Sequence, residues 1–439
     1  MSHVSASEYL KKILLAPVYE AAVNSDFDLM NRLSGELGNQ IYLKREDQQP
    51  VKSFKLRGAY NRICQLSQAQ LEKGVIAASA GNHAQGMAYA AKKKQIHATI
   101  VMPETTPDIK VDAVRRFGGE WVTIVQHGTS FDTASQFAQQ LCIDKGLTYI
   151  PPFDEPDVIA GQGTIAREML EQQPDLDTLF IAVGGGGLAA GIAVYVKQLK
   201  PDVKIIAVES AESACLAAAL EAGEPVMLPT VGIFADGVAV KIMGQETFRL
   251  CQQYVDEVMT VSNDEICAAI KDIFDDTRVI AEPAGALSVA AIRKYCQANN
   301  IKGQHIGGIL CGANINFHTL RYVSERCELG EGKEAVFAVK IPEVTGSFKR
   351  FCEVLGGINI TEFNYRFANA EQAYVFVGVK LKRGLEEYAE LTATLAQNGL
   401  IHALINTHPV RCIVIRHILL AHIFLSRSVP FANKVLALK

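Results

Sequence analysis

Between Val75 and about Gly312, short apolar runs alternate with segments of helical period, and this alternation leaves very few folds open. Val75–Ala78, Ala98–Met102, Trp121–Val125, Thr178–Val183, Lys204–Glu209 and His305–Cys311 read as buried strands. Ala84–Lys94, Thr129–Gly146 and Gly187–Lys200 have the length and period of helices. Apolar strands separated by helices predict an α/β fold, a parallel sheet covered on both faces. In such sheets ligands settle at the carboxyl ends of strands, in loops that open helices.

After Arg326 the pattern changes. Glu334–Lys340, Ile358–Arg366, Ala373–Lys380 and Ile401–Ile405 read as strands, and Gly346–Leu355 and Leu385–Gln397 as helices. The resulting βαββαβ order is the ferredoxin-like α+β motif, used more often for regulation than for catalysis. Cys327–Lys333 reads as the linker. Thr407–Lys439 carries five Lys/Arg, three His and no acid, and its apolar run Cys412–Leu425 is broken by Arg416, His417 and His422. The expected organisation is a catalytic domain over 1–326, a regulatory domain over 334–406 and a basic tail over 407–439 outside the fold.

Composition narrows the function classes. Lys+Arg number 43 against 47 Asp+Glu, so no basic surplus exists to neutralise nucleic-acid phosphates. The ten cysteines are scattered without a C-x-x-C knuckle, and no H-E-x-x-H occurs, which speaks against a metal site and for a reducing cytoplasm. Ile13–Val18 is too short for a signal peptide, and no run of about 18 apolar residues offers a membrane span.

Four loops carry the chemistry. Gly184-Gly185-Gly186-Gly187-Leu188 follows a strand and opens a helix, where free N–H groups and the helix dipole favour a phosphate. Gly185, Gly187 and Ala190 also satisfy G-x-G-x-x-A, with Glu209 ending the next strand, so a dinucleotide site stays open at this point. In Ser53–Ala59, Lys55 follows Phe54 at the start of a helical segment; burial would make its amine a nucleophile. Neighbouring Lys44, Arg45, Glu46 and Asp47 read as solvated charge. In Ser79-Ala80-Gly81-Asn82-His83, the N–H groups and the Ser79 hydroxyl suit a carboxylate, Asn82 can donate to a phenolic oxygen, and His83 reads as structural. Cys311 is either a buried thiol or a neutral partner for a ring nitrogen.

Taken together, SFKLRGA around Lys55, SAGNHAQG around Asn82, GGGGLAAG from Gly184, EPAGA from Glu282 and CGANINF from Cys311 resemble the fold type II pyridoxal-phosphate enzymes, and among them the biosynthetic threonine dehydratases. The likeness runs from about residue 8 to 405, and five motifs in order displace the dinucleotide reading. It implies two open parallel-sheet subdomains followed by an ACT-like regulatory domain. It implies that Lys55 carries pyridoxal 5'-phosphate and acts as general base, with Phe54 beside the ring. Asn82 would meet the phenolic oxygen, Gly184–Leu188 the phosphate and Cys311 the pyridine nitrogen, with the substrate carboxylate on Ser79–His83. The family usually has serine where Cys311 stands. Expected substrates are L-threonine and L-serine, with isoleucine and valine as effectors, and relatives are commonly tetramers. Related racemases have a serine at the position of Ala80, so racemisation is expected to be negligible. Only one ACT-like module is recognisable, so isoleucine inhibition is expected to be weak or absent. The alternative class is a non-catalytic amino-acid-binding homologue.

Overall fold

A computed structural model describes residues 3–369 and 372–404; the basic tail expected over 407–439 lies outside these. The chain divides into two compact units, the break falling between Ser324 and Glu325.

The first unit holds two parallel sheets. The larger has six strands in the order Phe27–Leu29, Gln40–Arg45, His305–Leu310, Thr178–Ala182, Lys204–Ser210, Glu257–Val261, with only the first antiparallel to its neighbour. The smaller runs Val122–Gln126, Ala98–Met102, Val75–Ala78, Thr148–Tyr149, all parallel. All six strands expected from apolar runs form, with ends shifted by a residue or so. Trp121 closes a short helical turn instead of opening its strand. Phe27–Leu29, Gln40–Arg45, Thr148–Tyr149 and Glu257–Val261 lacked a clear apolar run and were not foreseen.

Three of the supporting helices carry N-cap side chains: Ser130 for Phe131–Lys145, Ser262 for Asn263–Thr277, and Glu155 for Pro156–Gln172. The helices Asn82–Lys94 and Gly187–Leu199 instead start after Gly81 and Gly186, which have no side chain to cap with, so the N–H groups of their first two residues are left toward the loops that precede them. The helix Lys55–Cys64 meets Pro156–Gln172 backbone to backbone: a Cβ on Gly161 would stand 2.6 Å from Gly58 Cα. That approach fixes where Lys55 emerges.

It also corrects the reading of Lys44–Asp47. Lys44 and Glu46 have no solvent exposure, and Arg45 and Asp47 are buried. Arg57 Nε and Nη2 donate to Glu46 at 2.8 and 2.7 Å, Arg57 Nη2 reaches Glu168 at 2.9 Å, and Lys44 Nζ lies 2.7 Å from the same Glu168. Two cations and two carboxylates thus neutralise each other beneath the Lys55 helix, which is how four charges can leave water. Arg45 is likewise held by Asp47 and Asp28.

The second unit is a four-stranded antiparallel sheet ordered Ile360–Asn369, Gln372–Lys380, Glu334–Pro342, Ile401–Leu404, with helices Ser347–Leu355 and Leu385–Gln397. The βαββαβ order is as expected, and its core gathers Phe337, Phe351, Val375, Val377 and Leu395. The expected linker is partly helical, because Thr319–Gly330 runs as one helix through Cys327. No described helix is long and apolar enough to cross a membrane.

Candidate active site

Four strand ends and the loops behind them converge in the first unit. Strand His305–Leu310 delivers Cys311, whose carbonyl accepts from Phe54 N at 3.2 Å, and Ala313 N donates to Lys52 O at 3.0 Å. Ser53 and Gly312 form a β-bridge in the same stretch. The loop before Lys55 is therefore stitched to the loop after Cys311. Lys52 takes the left-handed conformation (φ 58°) that this junction imposes.

Lys55 Nζ donates to Pro152 O at 2.8 Å. The next residue, Phe153, lies against the glycine loop: a Cβ on Gly185 would stand 2.2 Å from its ring, and one on Gly187 3.1 Å from its Cα. The amine is thus one residue removed from the tetraglycine turn. Burial pushes its pKa down to about 8, opposed by the neighbouring Cys311. The same cause pushes Cys311 upward, reinforced by Glu282, so it stays an uncharged thiol at neutral pH.

The glycine turn depends on its composition. Gly186 has φ +88°, which L side chains rarely adopt, and a Cβ there would stand 2.5 Å from Met243 Cε. Thr247 Oγ1 donates to Gly185 O at 2.7 Å, and Cys215 Sγ to Gly184 O at 3.3 Å, fixing the turn from behind. Carbonyls held outward leave N–H groups facing inward, at the uncapped start of Gly187–Leu199.

In the third loop, Ser79 Oγ accepts from Gly81 N (3.2 Å) and Ala84 N (3.3 Å), leaving its hydroxyl proton free to donate. Ala80 presents only a methyl group. His83 is buried, and its Nε2 lies 3.0 Å from Ile150 O. Burial, with Lys55 close by, drives its pKa down to about 3, so it is neutral and unsuited to act as an acid. Its structural reading agrees with that geometry, although Nδ1 is without a partner.

Asn82 has partners at both ends of its amide. Nδ2 donates to Glu282 Oε1 at 2.6 Å, and Oδ1 accepts from Asn314 Nδ2 at 2.7 Å. Neither Glu282 nor Asn314 was assigned a role from sequence, although EPAGA and CGANINF contain them. Glu282 is buried, and that burial, with Asp236 nearby, raises it to about 7. Glu209 accepts instead from Leu216 N (2.7 Å) and Ala217 N (2.9 Å), capping the helix Cys215–Ala222. Its carboxylate is consumed in that cap, which removes the ribose-binding acid of the dinucleotide alternative.

The donor set fits pyridoxal phosphate. A partly buried amine of lowered pKa suits an aldehyde, an inward-facing glycine turn at an uncapped helix suits a phosphate, and a neutral thiol suits a ring nitrogen.

Comparison with known proteins points the same way. Residues 27–312 match the family described as pyridoxal-phosphate dependent enzyme, and residues 325–409 match the C-terminal regulatory domain of threonine dehydratase. The chain is 58% identical to the biosynthetic L-threonine dehydratase of Escherichia coli over 393 residues, 90% of this chain and 76% of that protein. A processed threonine deaminase isoform from Solanum lycopersicum superposes with a TM-score of 0.71 at 49% identity, covering 73% of this chain and 92% of that one. Maize serine racemase superposes with a TM-score of 0.68 at 30% identity, covering 74% and 98%.

Proposed function

Because the chain belongs to the biosynthetic threonine dehydratases, within the pyridoxal-phosphate-dependent enzymes, we propose that the residues gathered around Lys55 are its catalytic machinery. The enzyme is a threonine ammonia-lyase that converts L-threonine to 2-oxobutanoate and ammonia, in isoleucine biosynthesis. Bound pyridoxal phosphate supplies an electron-withdrawing ring that eases loss of the amino acid's Cα proton.

The chain's residues do the rest. Lys55 would hold the cofactor through Nζ, and the same amine is placed to take the substrate's Cα proton; a pKa lowered by burial to about 8 is matched to that task. The Ser79 hydroxyl and the first-turn N–H groups of Asn82 and His83 orient the substrate carboxylate. Gly184–Leu188 would hold the phosphate, and Asn82 would donate to the phenolic oxygen. Cys311 would meet the ring nitrogen as an uncharged thiol, which would favour prompt departure of a β-hydroxyl over a long-lived carbanion. Phe54 would pack beside the ring. The methyl of Ala80 cannot return a proton from the opposite face, which supports elimination without racemisation. L-Serine has the same leaving group and is a second substrate.

The second unit matches the regulatory domain of threonine dehydratase, which supports the binding of an effector. We propose branched-chain amino acids, isoleucine and valine, as that effector class, with isoleucine inhibition weak or absent. The scattered thiols support a cytoplasmic setting, and a homotetramer is the expected assembly. The observation that carries the catalytic reading is the partly buried Lys55 amine one residue from the glycine turn. L-Threonine turnover followed by keto-acid formation, with chiral analysis of residual amino acid and an isoleucine titration, tests it. Lys55→Ala should lose at least about 10³-fold in kcat, and wild-type activity surviving that change would overturn the assignment.

A further inference from the structure

We propose that Glu282, as a carboxylate, is a positioning residue that, together with Asn314, decides which end of the Asn82 amide faces the cofactor. This rests on the reading that Asn82 meets the cofactor's phenolic oxygen.

An asparagine amide has two ends of nearly equal shape and opposite hydrogen-bonding sense, so packing alone cannot choose between them. Here the choice is made by partners. Glu282 Oε1 accepts from Asn82 Nδ2 at 2.6 Å, and Glu282 Oε2 accepts from Asn314 N at 3.1 Å. Asn314 Nδ2 donates both to Asn82 Oδ1 (2.7 Å) and to Val51 O (2.9 Å), which fixes its own orientation. An ionised carboxylate only accepts, so the nitrogen end of Asn82 must face it. One N–H of that NH₂ is spent on Glu282; the other can donate to a phenolic oxygen. A protonated Glu282 carries a donor of its own, and the demand for the nitrogen end is relaxed.

The surroundings bring the two forms within reach of each other. Glu282 is buried just before the turn Pro283–Ala286. The charged or titratable groups facing it are Asp236 from the turn Asp236–Val238, Lys110 from the helix Asp108–Gly118, and Cys311 at the end of its strand. Burial and Asp236 favour the proton; Lys110, Asn82 and the Asn314 N–H oppose it, and the balance falls at about 7. The hold on the cofactor should therefore strengthen as pH rises through neutrality.

The test is titration of the full-length apo chain with pyridoxal phosphate at pH 6 and pH 8.5, read by Trp121 fluorescence. The proteins are wild type, Glu282→Gln, Asn314→Ala and Asn82→Ala. Taking the ratio of wild type to Glu282→Gln at each pH cancels the titration of Lys55, which is common to both. That ratio should be about tenfold at pH 8.5, the worth of one charge-assisted hydrogen bond, and should close to within about twofold at pH 6. A ratio that does not change with pH, or one near unity at pH 8.5, overturns the proposal. Asn314→Ala should bind about threefold more weakly at pH 8.5, and this decides the matter if Glu282→Gln does not fold; unchanged binding overturns it. Asn82→Ala binding like wild type would sink the Asn82 reading and this inference together. Asn82→Ala weakened while Glu282→Gln is not would sink the inference alone.

Discussion

Replacing Arg57 with methionine would keep the bulk of a fully buried side chain and remove its charge and its five N–H donors. In the native unit, Arg57 and Lys44 balance Glu46 and Glu168, all four without solvent exposure. After the change Lys44 still pairs with Glu168 and Ser25 still donates to Glu46, but the cluster carries one uncompensated negative charge. Breaking a buried pair from one side costs about 3–5 kcal/mol, a fifth or more of a typical domain's roughly 5–15 kcal/mol. Thermal unfolding of the apo chain, followed by circular dichroism, should fall on the order of 10 °C. The pH response should change sign. In wild type, Glu46 is held below its ordinary value by Arg57 despite its burial, so its contribution is present above the unfolded pKa and is lost as pH falls through the folded one. In the variant Glu46 is pushed upward, and stability should increase as the solution is acidified from pH 7 toward 5. Arg167→Met, which breaks an exposed pair with Glu171, is the control and should cost no more than about 1 kcal/mol. An Arg57→Met protein melting within about 2 °C of wild type, with the wild-type pH slope, would refute the reasoning.

Two further outcomes follow from the site. Gly186→Ala places a Cβ 2.5 Å from Met243 Cε in a left-handed turn that costs L residues about 1–2 kcal/mol, so cofactor affinity should fall about tenfold in a direct binding titration; unchanged affinity would contradict the phosphate-turn assignment. The rate at which pyridoxal phosphate loads onto the apo chain should rise with pH and level off above about 8, because only the neutral Lys55 amine reacts; a stopped-flow profile still climbing toward pH 10 would show an unperturbed lysine.

The sequence made the sheet of the first unit legible where strands were continuous apolar runs, as in Val75–Ala78 and Thr178–Ala182, since burial on both faces leaves no alternative pattern. It made the second unit legible because βαββαβ is a local order. Gln40–Arg45 was hidden for the opposite reason. Its strand ends in charge, and the carboxylate that lets Lys44 be buried, Glu168, stands 124 residues further along the chain (168 − 44). No local window contains that pairing. The site was legible at Lys55, the glycine turn and the Ser79–His83 loop because each sits where a strand or loop hands over to a helix. Glu282 and Asn314 were not, because their role lies in the direction of hydrogen bonds between loops 32 or more residues apart. Glu209 shows the converse: its place in a motif spacing suggested ribose binding, and only the hydrogen bonds reveal a helix cap.

The claim beneath all of this is that one lysine amine carries the cofactor. Borohydride reduction of the loaded enzyme, followed by proteolysis and mass mapping, locates that attachment directly. The account predicts the pyridoxyl group on the peptide containing Lys55 and on no other; a label on Lys52 or Lys110, or no stable label, would contradict it.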